Sequence, residues 1–197
     1  MAEQAELEQD QDLEDAPAAP PPLDPEVAAR RTAALRHVVK WGDPVLKAKA
    51  LPITRFDDDL RREVAGMASL MDDALGVGLA ATQLGRLKRL LVYRVVGDGP
   101  LGVLINPVIE WSSKDKELYE EGCLSLPAVH VDVERPIHVR VRAQDETGDE
   151  LLVEASGLEA RVIQHELDHL DGVLILERTA RDQRKQAVRA LREALDA

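Results

Sequence analysis

Within Gln164-His165-Glu166-Leu167-Asp168-His169 two histidines stand four residues apart. On a helix this spacing sets both imidazoles on one face, a turn apart, where they can share one metal ion. Glu166 follows the first histidine, so its carboxylate can reach a metal-bound water without taking a coordination site itself. A catalytic metal of this kind takes a third protein ligand and keeps one position open for water. Three sources compete for that place. The extended metalloprotease pattern, with a third histidine, fits as far as Gly172 but has Ile175 at its last position, where nothing can coordinate. Glu193 lies downstream in a basic segment whose arginines compete for its carboxylate. Cys123, the only cysteine, has no partner for an internal disulfide, and as a thiolate it is a strong ligand for Fe(II), Zn(II), Co(II) or Ni(II).

The elements that must hold these groups can be read in part from periodicity. Ser156-Gly157-Leu158-Glu159 has the form of a capping box, so a helix is expected to start there, carry both histidines and stop at Gly172. Upstream, Leu60, Val64, Met67, Ala68, Met71 and Leu75 keep an apolar stripe at helical spacing after the caps Asp57 to Asp59, with Gly76 as the expected left-handed stop. A short helix is expected from Pro25 to about Lys40, broken by Gly42-Asp43-Pro44. Residues 89–96 and 101–105 read as paired strands. Ile137, Val139, Val141 and Ala143 alternate with His138, Arg140 and Arg142, giving a strand with one dry and one wet face, and Thr147-Gly148 turns it back toward a strand at Leu151 to Val153. From about Ala180 to the end, Ala187, Val188, Leu191, Ala194 and Leu195 form an apolar stripe opposite Arg181, Arg184, Lys185, Arg189 and Arg192. This amphipathic helix is expected to dock by its stripe; its basic arc could also meet an acidic partner such as ribosomal RNA.

The chain has 197 residues, 45% hydrophobic and 31% charged, with 37 acids against 25 bases. Such a length suits one compact domain plus an appendage. The surplus of acid argues against a protein that works chiefly by gripping nucleic acid, DNA included, or an anionic membrane, while leaving room for local basic patches. No apolar run approaches the ~20 residues that span a bilayer, and the amino end lacks the basic-then-apolar order of a secretion signal, so a cytoplasmic setting is expected. Residues 1–24 hold eight acids, four prolines and no Lys or Arg, and read as a disordered acidic Pro/Ala-rich tail; residues 25–197 form the folded domain, with 29 acids against 25 bases.

Cys123 stands in Glu121-Gly122-Cys123-Leu124-Ser125, and upstream lies Gly76-Val77-Gly78-Leu79-Ala80-Ala81-Thr82-Gln83. Together with Gln164 to His169, these blocks closely resemble the signature of the peptide deformylases, with lesser echoes at Gly42 to Leu46, Ile105-Asn106-Pro107 and Arg135-Pro136. The glycine-rich block lacks the ending of a phosphate cradle; its glycines instead let an extended peptide come close and add like a strand. The resemblance implies an α+β fold, with antiparallel β-sheets packed around a central metal-binding helix and an amphipathic helix at the carboxyl end. It also implies hydrolysis of the formyl group from the amino-terminal formylmethionine of new polypeptides, releasing formate. In this reading Cys123, His165 and His169 hold one divalent metal, Fe(II) first and Ni(II), Co(II) or Zn(II) as substitutes. A metal-bound water attacks, Glu166 is general base and then acid, and the Gln83 amide and Leu124 N–H stabilise the oxyanion. Val77, Gly78, Glu121 and Gly122 line the substrate, with Glu121 also helping to order the site. The expected partners are N-formylmethionyl peptides and the ribosome near the nascent-chain exit.

Overall fold

The computed structural model describes residues 22–196, so the expectation for residues 1–21 lies outside the described residues. Asp24, counted above with the tail, belongs to the fold: its carboxylate accepts the Glu26 and Val27 N–H groups at 2.9 and 3.4 Å and caps α1 (Pro25–Leu35). This helix ends earlier than Lys40. After Gly42, at φ 105°, Asp43 starts a short 3-10 turn over Pro44–Lys47. Asp57 caps α2 (Asp58–Asp73) by accepting the Leu60 N–H at 3.1 Å, and Leu60, Val64, Met67, Ala68 and Met71 are buried as the stripe requires. The stop differs from expectation. Leu75, not Gly76, takes the left-handed conformation, at φ 58°, and its side chain is exposed. Gly76 is in a tight place: a Cβ there would stand 3.1 Å from the Leu124 side chain.

Seven strands follow: β1 (Gly78–Ala80), β2 (Leu90–Tyr93), β3 (Gly102–Ser112), β4 (Lys116–Cys123), β5 (Leu126–Pro136), β6 (His138–Gln144) and β7 (Glu150–Ser156). A five-stranded antiparallel sheet has the order β1-β2-β3-β6-β7, and β4 and β5 form a separate hairpin. The expected alternation in β6 is present, with Val139, Val141 and Ala143 buried and His138, Arg140 and Arg142 exposed.

Helix α3 (Gly157–Leu170) lies between the sheets and is buried along nearly its whole length. Its Ala160, Val162, Ile163, Leu167 and Leu170 pack with Leu91, Leu104, Val139, Val141 and Ala155 of the large sheet. On the other face, α2 packs against Leu79, Leu90, Val92 and Ile105. Strand β2 thus sends alternate side chains to two helices, which is why it reads as an unbroken apolar run. The helix starts where the sequence places it, but not through a capping box. The Ser156 hydroxyl pairs with His138 Nδ1 at 2.8 Å and Glu159 accepts from the Tyr93 hydroxyl at 3.0 Å, so partners from neighbouring strands displace the local motif. Gly172, at φ 72°, ends the turn after α3; a Cβ there would run into the Lys47 carbonyl at 2.6 Å, so both conformation and space demand glycine.

The chain then crosses a short 3-10 turn (Ile175–Glu177) to α4 (Arg181–Asp196). Ala187 and Leu191 of α4 pack on Leu126, Val129, Val131 and Val133 of the hairpin, with Leu174 to Leu176 between. Ala194 and Leu195, expected on the same stripe, are exposed. Among the described residues no helix is long and apolar enough to cross a membrane.

Candidate metal centre

Helix α3 presents His165 and His169 on one face, with ring centroids 5.0 Å apart, and β4 brings Cys123 up to them at its end, where a register shift between Gly122 and Cys123 turns the strand. The Cys123 sulfur is 3.3 Å from His169 Nε2, and the three candidate ligand atoms lie within 4.8 Å of one another. One sulfur and two imidazole nitrogens at that spacing fit a single tetrahedral or open-sided divalent ion. Among the described residues, two buried polar atoms here have no hydrogen-bond partner, Glu166 Oε2 and His169 Nδ1. A buried carboxylate oxygen left unpaired is costly, and its place beside the three ligands suits a group that handles protons rather than one that holds structure. Glu193, the competing third ligand, is exposed on α4 and paired with Arg189 at 3.0 Å.

Around these ligands lies a charged cage that periodicity does not announce. Glu121 Oε2 pairs with His165 Nδ1 at 3.0 Å, which leaves the other ring nitrogen free for a metal. Its two oxygens also accept from Arg135 Nε and Nη2 at 2.6 and 2.9 Å, and Arg161 Nη1 reaches Oε1 at 2.8 Å. Arg135 continues to Asp168 at 2.9 Å, and Arg178 closes the cluster from the far side of Asp168. Burial raises the Glu121 carboxyl, but the bonds from His165 and Arg135 outweigh it and hold the pKa at about 2. Burial dominates at Glu166 and pushes its carboxyl up to about 7, against the pull of His165 and Arg135. Arg135 carried a readable signal: Val129, Val131 and Val133 alternate inward on β5, and Arg135 continues that face, so its burial follows from period two.

The remaining predicted site residues gather at the same place. Gln83 sits in a short 3-10 turn (Ala81–Leu84) after β1; its side-chain carbonyl accepts the Ala80 N–H at 2.9 Å. That fixes its amide nitrogen toward Ser125 Oγ at 3.4 Å and the Cys123 sulfur at 3.8 Å. Leu124 follows Cys123 in the turn, and among the described residues nothing accepts its N–H. Gly78 packs under Glu166, where a Cβ would stand within 2.9 Å of the carboxyl carbon, so any larger residue displaces that carboxylate. Val77, half exposed, stands just before β1, and its carbonyl accepts the Arg94 N–H at 2.9 Å. Gly122 pairs with His130, whose ring would stand 3.2 Å from a Cβ. Strand β1 is at the edge of its sheet, bonded among the described residues to β2 alone.

Residues 35–185 match the sequence model of the family described as polypeptide deformylase. The chain belongs to the peptide deformylase family. It is similar to the peptide deformylase of Acidothermus cellulolyticus, 44% identical over 161 residues that cover 82% of this chain and 88% of that one. It is also 45% identical over 148 residues to the chloroplastic peptide deformylase 1B of Oryza sativa, covering 74% and 55% of the two chains. Among solved structures, a peptide deformylase from Synechococcus elongatus in complex with actinonin superposes with a TM-score of 0.75 at 43% identity, covering 78% of this chain and 85% of that one. One from Legionella pneumophila gives 0.77 at 36% identity, covering 81% and 94%. The chain is therefore an enzyme of the deformylase class, with the α+β fold of that family, and α1 lies almost wholly before the segment that the family model matches.

Proposed function

We propose that this deformylase hydrolyses the formyl group from the amino-terminal formylmethionine of nascent polypeptides, releasing formate, in a cytoplasmic setting. Cys123, His165 and His169 would hold one divalent ion, Fe(II) in the cell, with Ni(II), Co(II) or Zn(II) able to replace it. When bound, the ion supplies Lewis acidity that makes water a nucleophile near neutral pH. Glu166 takes the proton that the attacking water gives up and returns it to the departing amine nitrogen. A carboxyl raised to about 7 is suited to both transfers. The Gln83 amide nitrogen and the Leu124 N–H donate to the formyl oxygen as it gains charge. Glu121 orients His165 through Nδ1. The position of β1 as the last strand of its sheet, with half-exposed Val77 just before it, supports an extended peptide added as a strand along Val77 and Gly78, with Gly122 as a further contact.

The observation that carries this reading is the unpaired Glu166 oxygen, buried beside three converging ligands, since a purely structural ion needs no such neighbour. A soft thiolate with two imidazoles accepts several ions, so supply in the cell selects iron. The exposed arc of Arg181, Arg184, Lys185, Arg189 and Arg192 supports contact with ribosomal RNA near the nascent-chain exit. The test is formate release from formyl-Met peptides by the Fe(II) or Ni(II) protein under anaerobic conditions. The wild type should release formate, and Glu166→Ala should bind metal yet lose activity by at least about a thousandfold. Equal activity in Glu166→Ala, or no formate from the wild type, contradicts the proposal.

A further inference from the structure

The two candidate oxyanion donors ride on separate turns, Gln83 after β1 and Leu124 after β4, and apart from the Gln83 amide itself something outside both must fix their relative position. The segment between α1 and Gly42 does so. The Val39 N–H donates to the Gln83 carbonyl at 2.7 Å, the Trp41 N–H donates to the Ser125 carbonyl at 2.9 Å, and between them the Lys40 Nζ donates to the Leu124 carbonyl at 3.0 Å. Val39 and Trp41 pack their side chains into the same apolar cluster as Cys123. Two of these bonds come from the backbone and could be made by any residue but proline; the Lys40 bond is the one that depends on a side chain.

We propose that Lys40 is a positioning residue of the reaction, holding the Cys123–Ser125 turn so that the Leu124 N–H and the Gln83 amide face one oxyanion. Rotation about the Leu124 backbone moves its N–H, and a carbonyl pinned on one side of that residue removes the freedom. A charged donor makes the stronger pin, and its half-buried ammonium adds positive potential next to the place where negative charge develops.

This inference rests on the deformylase reading, and two variants with two readouts separate them. Lys40→Met keeps the stem and removes the donor; Lys40→Arg keeps donor and charge. In the metal-loaded protein, Lys40→Met should lower kcat about tenfold while KM and bound metal stay within about twofold of wild type. In the zinc form labelled with 15N-leucine, the Leu124 amide resonance, assigned through Leu124→Met, should shift in Lys40→Met and return in Lys40→Arg. Lys40→Arg should also recover kcat to within about threefold of wild type. An unchanged kcat in Lys40→Met overturns the proposal. So does a loss that Lys40→Arg does not restore, or one that comes with lost metal or a matching rise in KM. A wild type that releases no formate strikes the deformylase reading instead, while an unmoved Leu124 resonance strikes the clamp alone.

Discussion

At the residue scale, His165 and His169 are set by helical spacing, but the contact that would orient His165 for the proposed ion comes from Glu121, which is 44 residues away in sequence. Glu121 in turn is held by Arg135 from β5 and Arg161 from α3, so two elements converge on a carboxylate carried by a third, β4. The spacing of the histidines was legible because it is local. The glutamate cage is legible only in part: Arg135 continues the inward face of β5 and Arg161 stands one turn before His165 on α3, but no local pattern says that all three meet Glu121. Replacing Glu121 by Gln keeps the shape and removes the charge that orients the His165 ring. Metal affinity is expected to fall about 10–100-fold, measured by competition with a chelator, as for other partners that orient metal-bound histidines. An affinity equal to wild type would show that His165 needs no such partner.

At the element scale, local motifs failed where tertiary partners outbid them. Ser156 and Glu159 have the spacing of a capping box, yet His138 and Tyr93 claim their side chains, so the motif located the helix start without describing its chemistry. The stripe of α4 shows a similar limit. Periodicity groups Leu191 with Leu195, but the hairpin extends under only the first part of the helix, and Leu191 is fully buried while Leu195 is 40% exposed. Leu191→Ala should therefore cost about 2–5 kcal/mol in urea unfolding, as large-to-small changes in a packed core do. Leu195→Ala should stay within about 0.5 kcal/mol of wild type. Equal losses at the two positions would mean that the whole stripe is docked.

At the scale of the whole molecule, the α+β architecture came from the family resemblance, whereas periodicity supplied its pieces: the stripe of α2, the alternation of β6 and the turn into β7. Strand order, with β6 beside β3 across the β4–β5 hairpin, depends on pairings between distant segments and has no local signal. Charge is also unevenly divided. Seven of the eight acids of residues 1–24 precede Pro22, while Asp24 caps α1. We propose that the acidic stretch is an appendage and that the rest of the chain carries the activity. A protein starting at Pro22 should keep kcat/KM within about twofold on short formyl peptides. A loss beyond about tenfold would make the stretch part of the enzyme.

A single ion held by Cys123, His165 and His169 is the centre of the proposed activity. X-ray absorption at the metal edge of the zinc-loaded protein tests this directly. One sulfur at about 2.3 Å and two imidazole nitrogens at about 2.0–2.1 Å are expected, with the sulfur lost in Cys123→Ser. A shell of nitrogen and oxygen alone in the wild type would contradict it.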